Sequence, residues 1–401
     1  MDDIVVIGAG QAGASLVARL RKDGFGGRLT LIGAEPALPY ERPPLSKGYL
    51  LGELDRERLY LRPASFYADN DITLLTGLRA DRIDAAARTV HAGDRQIPYG
   101  QLALTTGSVP RRLPAAIGGD LPGVFTVRSL ADVDAMAPAF RDGARAIVVG
   151  GGYIGLEAAA VAARSGMQVT VLEMADRILQ RVAAPETSAY FRALHRAHGV
   201  DIREGTGLQR LAGEAHVTGA ILSDGTELPA DVVIVGIGIA PDTALAETAG
   251  LDLDNGIRTD ALGRTSDAAI WAAGDCASFP YQGGRIRLES VQNAIDQADC
   301  VAANMLGAAT DYVPYPWFWS DQYDCKLQIA GLSTGYDRIV TRGGDDTVSF
   351  WYFAGDRLLA VDAMNDARSY MVAKRLLQMG KSPDAAAVAD PDTDLKSLLR
   401  G

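Results

Sequence analysis

Two glycine triplets, each closing an apolar run, are the residues whose types and spacing could do chemistry. The first lies in Ile4-Val5-Val6-Ile7-Gly8-Ala9-Gly10-Gln11-Ala12-Gly13, the second in Ala146-Ile147-Val148-Val149-Gly150-Gly151-Gly152-Tyr153-Ile154-Gly155. In G-x-G-x-x-G the first glycine permits a tight turn and the second lets backbone N–H groups approach a pyrophosphate. The third packs the following helix close to the strand, so that the helix N-terminus faces the negative charge. A second apolar run follows each motif. Residues 29–32 lead to Gly33, Ala34 and Glu35, and residues 169–172 end directly on Glu173. A carboxylate there accepts hydrogen bonds from the adenosine ribose hydroxyls and repels a 2′-phosphate. Arg177 lies nearby, to meet such a phosphate if the acid were removed. Two cradles imply two dinucleotides, and electron transfer from one to the other.

Each cradle needs a β-α-β unit to hold it, and 401 residues exceed what one core supports, so two or three domains are expected. Residues 102–107, 232–236 and 269–273 read as strands, the last running into Gly274-Asp275. Prolines 39, 43 and 44 enforce an extended or turning path after the first unit. Pro110, Pro114 and Pro122 mark a crossing into the second unit, and Pro241 the return. From Pro314 the texture becomes aromatic and β-rich. Residues 349–353 and 357–361 flank an Ala-Gly-Asp turn and predict a hairpin. Residues 371–379 read as a helix and 385–394 as a polar, loose tail.

The net charge of −11 argues against general nucleic-acid binding and offers no polybasic membrane patch. No apolar run is long enough to span a bilayer, and the first strand starts too early to leave room for a signal peptide. Cys276, Cys300 and Cys325 are too widely spaced for a redox disulfide or a clustered iron–sulfur site. With three unpaired thiols, a cytoplasmic location is expected. His91, His195, His198 and His216 lack companions at zinc-ligand spacing, so His195 and His198 are read as surface or packing residues and no metal is predicted.

Beyond the cradles, the strings Arg42-Pro43-Pro44-Leu45-Ser46-Lys47, Gly155-Leu156-Glu157, Ala273-Gly274-Asp275-Cys276 and Trp317-Phe318-Trp319-Ser320-Asp321-Gln322-Tyr323 carry a resemblance. Over essentially its whole length the chain resembles the FAD-dependent, NADH-oxidising ferredoxin reductases of bacterial oxygenase systems. The resemblance implies a glutathione-reductase-like α/β architecture: two Rossmann-like dinucleotide-binding domains plus a C-terminal α+β domain. The FAD-binding domain would be discontinuous, over 1–112 and 243–314, with the NAD-binding domain at 113–242 and the C-terminal domain at 315–401. Implied flavin contacts are Gly8, Gly10, Ala12, Gly13, Glu35, Arg42, Lys47, Ala80, Arg128, Asp275 and Val291, with Trp319 at the isoalloxazine edge. Implied NAD contacts are Gly150, Gly152, Tyr153, Ile154, Glu157, Glu173 and Gly238. Ala34 stands where some relatives carry an acid, which leaves the ribose to Glu35. Asp275 has a second reading, as N-cap of a helix beginning at Cys276.

The resemblance makes Lys47, Glu157 and Trp319 the catalytic residues. Lys47 would stabilise the reduced flavin by its positive charge, and Glu157 would pair with it beside the nicotinamide carboxamide. A solvated lysine and a helix-end acid are the alternatives. FAD accepts a two-electron hydride and releases electrons singly, which suits a 2Fe–2S ferredoxin as transient partner. Arg58, Arg62, Lys374 and Arg375 are candidate docking charges for an acidic ferredoxin. A monomer or weak dimer is expected, without nucleic-acid or membrane partners. The alternatives are a rubredoxin reductase with the same cofactors and a flavin- and NADH-binding signalling protein resembling apoptosis-inducing factor.

Overall fold

The computed structural model describes residues 3–344 and 346–400. The chain divides into two compact units. One comprises Met1–Arg42, Asp55–Val109 and Ile239–Pro314, the other Pro43–Leu54, Pro110–Gly238 and Tyr315–Gly401. The expected NAD-binding and C-terminal segments thus fold together, joined by packing of helix Tyr153–Arg164 on strand Trp317–Gln322 and by a buried hydrogen bond from Thr187 to Asp362. The proline-rich segment Pro43–Leu54 belongs to the same unit.

In the first unit, strand Ile4–Ile7 is the middle of a five-stranded parallel sheet. Leu29–Ile32 and then Ile72–Leu75 lie on one side, Gln101–Leu104 and then Ile270–Ala272 on the other. The strand is buried along its whole length, which explains an unbroken apolar run instead of alternation. On one face, Leu16, Val17 and Leu20 of helix Gln11–Lys22 pack with Ala298, Val301 and Ala302 of helix Val291–Met305. Ser290 caps the second helix by accepting from the Asn293 N–H at 3.1 Å. No helix starts at Cys276: strand Ala277–Tyr281 follows instead, so Asp275 is not a helix cap.

The second unit repeats the parallel sheet, in the order Asp201–Arg203, Gln168–Leu172, Arg145–Val149, Val232–Val235 and Val124–Phe125. Its C-terminal part is an antiparallel sheet in the order Trp317–Gln322, Cys325–Gly331, Arg357–Met364, Val348–Ala354 and Arg338–Gly343. The expected hairpin is the pair Val348–Ala354 and Arg357–Met364, running from Val348 opposite Met364 to Ala354 opposite Arg357. Helix Ala367–Gln378 begins earlier than residue 371 because the Asp366 carboxylate accepts from the Ser369 N–H at 2.9 Å.

The tail differs from expectation. Residues 385–394 are not loose: helix Ala385–Ala389 and the 3-10 turn Leu395–Leu399 bury Val388 and Leu395 in a core with Trp351, Tyr370 and Leu376. Arg342 fastens the same stretch, donating to the carbonyls of Val388 at 3.0 Å and Thr393 at 2.9 Å. Val388 and Leu395 are the fully buried anchors, with Ala385, Leu398 and Leu399 packed against the same core, and they are too scattered to stand out against a polar background. Leu395→Ala should therefore destabilise the C-terminal sheet by about 2–4 kcal/mol. Leu253→Ala, at a residue 40% exposed, should change stability little. Denaturant unfolding followed by tryptophan fluorescence checks both.

Candidate functional site

Both cradles form as backbone turns whose glycines are forced by contact. Gly8 and Gly150 have φ of +112° and +108°, and a Cβ at either would lie 2.1 Å from the Thr105 carbonyl oxygen or 2.4 Å from that of Gly236. At Gly13 and Gly155 a Cβ would strike the carbonyl oxygens of Gly8 and Gly150, at 2.0 and 2.1 Å. The middle glycines differ. A Cβ at Gly10 or Gly152 would have nothing within 4 Å. Packing does not require glycine there, and the open space at each helix N-terminus is where a pyrophosphate would approach. Each cradle therefore fits a dinucleotide.

In the first unit the Glu35 carboxylate receives the Arg42 guanidinium at 2.7 Å and the Tyr40 hydroxyl at 2.5 Å, and Arg42 lies over the Tyr40 ring at 5.1 Å. Asp275 accepts from the Ser108 hydroxyl at 2.9 Å, just after Gly274 turns the chain at φ +80°. Ala12 and Ala80 are buried, and Val291 opens the helix after Ser290. Arg128 and Lys47, two of the implied flavin contacts, belong to the second unit instead. Arg128 precedes helix Leu130–Met136, whose Ser129–Asp132 capping box fixes its start.

In the second unit Glu173 braces the nucleotide turn as well as ending its strand. Its carboxylate accepts from the Gly151 and Ala175 N–H groups, both at 2.8 Å. Each oxygen keeps a further acceptor position for a ribose hydroxyl. Arg177 is not a free cation for a phosphate, because its guanidinium donates to the Ser188 hydroxyl and to the Ala183 carbonyl at 2.9 Å. Ile154 is 45% exposed, and Gly238 has φ +98° with its carbonyl accepting from the Arg111 N–H at 2.9 Å. Tyr153 opens helix Tyr153–Arg164 and sets its ring against Phe318, with centroids 5.2 Å apart. Its hydroxyl is buried without a partner.

One turn into that helix is Glu157, 6% exposed. Lys47 Nζ stands 3.1 Å from Glu157 Oε1, so the predicted ion pair forms across more than a hundred residues of sequence. Two hydroxyls complete it: Ser46 Oγ donates to Oε2 at 3.1 Å and Ser320 Oγ to Oε1 at 2.7 Å. Burial pushes the carboxyl pKa up, and Lys47, Ser320 and Ser46 pull against that shift. Sequence reasoning missed both serines as ligands of Glu157; their only signal was membership in the Arg-Pro-Pro-Leu-Ser-Lys and Trp-Phe-Trp-Ser strings. Trp319, on the same strand as Ser320, lies half-buried between Trp317 and Phe318, at ring distances of 5.6 and 6.4 Å.

His195, read as surface or packing, is fully buried and hydrogen-bonded, whereas His198 lies on the surface. Among the described residues no cluster of His, Cys, Asp and Glu is arranged for a metal, and no helix is long and apolar enough to cross a membrane.

Family comparison decides what this scaffold is. Residues 2–298 match the family described as pyridine nucleotide-disulphide oxidoreductase, and residues 317–399 match the reductase C-terminal family. The chain belongs to the pyridine nucleotide-disulphide oxidoreductases. It is 45% identical to rhodocoxin reductase of Rhodococcus erythropolis, over 99% of this chain and 94% of that protein. Identity is also 45% to a ferredoxin–NAD(P)+ reductase of a Sphingomonas species, covering 99% of this chain and 97% of that one. The crystal structure of the covalent putidaredoxin reductase–putidaredoxin complex superposes with a TM-score of 0.96 at 40% identity, over 99% of this chain and 98% of that one. This oxidoreductase is thus a flavoprotein using FAD and NADH. Its three cysteines are all free thiols, unlike the dithiol in the family's name.

The glycine geometry makes a two-part prediction. Gly152→Ala meets no atom, so the protein should stay folded while NADH affinity falls by roughly tenfold or more. Gly155→Ala collides with the Gly150 carbonyl and should lose folded protein as well. Calorimetric NADH titration alongside thermal unfolding separates the two.

Proposed function

We infer that the chain is an NADH:ferredoxin oxidoreductase that passes electrons singly to a 2Fe–2S ferredoxin supplying an oxygenase. The observation that carries this reading is the ion pair of half-buried Lys47 with buried Glu157 beside the second cradle, in a chain without a cysteine pair to take the electrons. FAD, when bound, supplies the conversion between a hydride and single electrons. The protein's own residues bind, orient and exclude water. Gly8, Gly10, Gly13, Glu35, Arg42 and Asp275 would hold FAD. Gly150, Gly152, Tyr153, Ile154, Glu173 and Gly238 would hold NADH.

Glu157 has a carboxylate buried and fixed by three donors, and it would accept from the nicotinamide carboxamide. Lys47 places positive charge at the same point, where it favours a species that has just gained electrons. Trp319 would shape the slot by stacking. The reading includes a cytoplasmic monomer or weak dimer acting without membrane or nucleic acid. The net charge of −11 and the free thiols support it.

Arg58, Arg62 and Arg375 are exposed and fit a role in ferredoxin docking, while Lys374 is half-buried with its ammonium 4.2 Å from the Trp317 ring centre. NADH-dependent cytochrome reduction across a panel of purified ferredoxins and rubredoxins tests the acceptor. Turnover with rubredoxins alone would establish the other acceptor class. No acceptor-dependent NADH oxidation, together with a long-lived flavin–NAD complex, would establish the signalling reading.

Two predictions follow from named carboxylates. NADH should be preferred over NADPH by roughly tenfold to hundredfold, because a 2′-phosphate would meet Glu173. Glu173→Gln should narrow the gap through loss of charge, although its single amide oxygen can accept from only one of the two backbone N–H groups that the carboxylate holds; equal kcat/KM for the two nucleotides in the wild type would refute the assignment. Glu157→Ala should slow flavin reduction by NADH roughly tenfold to hundredfold in stopped flow. Electron delivery from chemically pre-reduced enzyme to ferredoxin should change much less. Slowing of the second half-reaction alone would show Glu157 to be misassigned.

A further inference from the structure

A chain of buried side chains runs from Glu157 to the surface. Strand Trp317–Gln322 turns Ser320 and Gln322 to the same buried face, two residues apart as a strand requires. Ser320 Oγ lies 2.7 Å from Glu157 Oε1, and Gln322 Nε2 lies 3.1 Å from Ser320 Oγ. Gln322 Oε1 meets His195 Nε2 at 2.8 Å, and His195 Nδ1 meets the Tyr323 hydroxyl at 3.3 Å. The Tyr323 ring stacks on exposed His198 at 3.6 Å, tilted by 10°. Ser320 and His195 are 0% exposed and Gln322 is 1% exposed.

The proton positions follow from the carboxylate end. Ionised Glu157 only accepts, so Ser320 donates to it. Ser320 then accepts from the Gln322 amide N–H, which leaves the amide oxygen facing His195. His195 Nε2 must carry the proton, and bare Nδ1 accepts from Tyr323. Every donor points toward Glu157. The neutral imidazole that this requires is the form burial favours, with the His195 pKa pushed down to about 4.

We infer that Gln322 and His195 are positioning residues of the hydride site, holding the Ser320 hydroxyl as a fixed donor so that Glu157 stays ionised and oriented beside Lys47. The inference rests on the assignment of Glu157 to the nicotinamide. An amide cannot pass a proton along without rearranging its own bonds, so the chain transmits orientation and polarisation rather than protons. Aligned bonds of this kind strengthen one another by about 10–30% each.

Few other titratable groups face the chain. The charged group acting on Glu157 is Lys47 from the proline-rich turn; of the strands packed on its helix, one leads to Glu173, which is tied to the Gly151 N–H, and the other carries Asp321 on the face opposite Ser320. Arg145, at the start of the central strand, is paired with Asp231 at 2.9 Å. Around His195 they are His198 and Tyr323, while Asp201 and Arg203 on the strand packed against its helix pair with each other at 2.8 Å.

The test uses FAD-loaded enzyme and two readouts over pH: flavin reduction by NADH in stopped flow, and the protonated-carboxyl infrared band that Glu157→Gln removes. Donors favour the charged carboxylate, so their loss raises the pH midpoint of Glu157. Ser320→Ala should raise it by about one unit. Gln322→Met and His195→Leu should each raise it by about a third of a unit. His195→Gln, which retains an N–H donor, should restore the wild-type midpoint. If His195→Leu fails to fold, Gln322→Met against His195→Gln carries the comparison.

Wild-type midpoints in Gln322→Met, with Ser320→Ala shifted, would overturn the inference and leave Glu157 in place. Unchanged flavin reduction in Glu157→Gln would overturn the underlying reading instead.

Discussion

A carboxylate removed from water is the constraint on which the second unit depends. Glu157 sits on a helix whose neighbours along the chain are leucine and alanine, and desolvation alone would push it toward the neutral acid. Two separate pieces of sequence answer that cost. The proline-rich turn brings Ser46 and Lys47, and the first strand of the C-terminal sheet brings Ser320. This accounts for segment Pro43–Leu54 leaving the rest of the first unit's sequence, and for the C-terminal sheet folding with the nucleotide-binding segment. Removing any one donor would leave buried charge imperfectly matched, which is more expensive than never having made the bond.

The two cradles show a second economy. In each, the first and third glycines are dictated by backbone carbonyl oxygens close behind them, so they belong to the fold. The middle glycine meets nothing, so packing does not dictate it, and the proposed pyrophosphate contact does. The acid after the second strand is used differently in the two units. Glu35 is tied to Tyr40 and Arg42, which follow it in sequence, whereas Glu173 ties back to the cradle's own turn through the Gly151 N–H. A charge substitution at Glu173 therefore acts on loop geometry as well as on the proposed nucleotide choice, because each carboxylate oxygen holds one backbone N–H.

Much of this was legible in the sequence, for reasons that differ by element. Parallel strands buried on both faces leave unbroken β-branched runs, so Ile4–Ile7, Arg145–Val149 and Val232–Val235 were plain. The hairpin was plain from its turn and aromatic strands. The tail was not, since Val388 and Leu395 are scattered anchors without a period to repeat. The alternative reading of Asp275 as a helix cap fails because Gly-Asp after a strand suits a helix start, and here the chain enters another strand. The Lys47–Glu157 pair came only from resemblance, as nothing local relates residues 110 positions apart. Ser320 and Gln322 had no signal beyond membership in the Trp317–Tyr323 string, and His195 had none: their roles exist only once a strand's alternation and a helix face are brought together.

The nature of the groups around Glu157 bears on what the site must do. A single charge, Lys47, faces it, and the remaining support comes from neutral dipoles: two serines, an amide and an imidazole held uncharged by burial. Charged neighbours would have stabilised the carboxylate more strongly, but each would bring its own desolvation cost and its own titration. Neutral dipoles fixed by packing add no charge that changes with pH, and they are already oriented before the nucleotide arrives. For the proposed hydride transfer the reacting atoms must be held within a few tenths of an ångström, so orientation is worth more than attraction. A strand carrying Ser320 and Gln322 on its buried face is well suited to supply it, because backbone pairing with Cys325–Gly331 fixes the register of both donors at once.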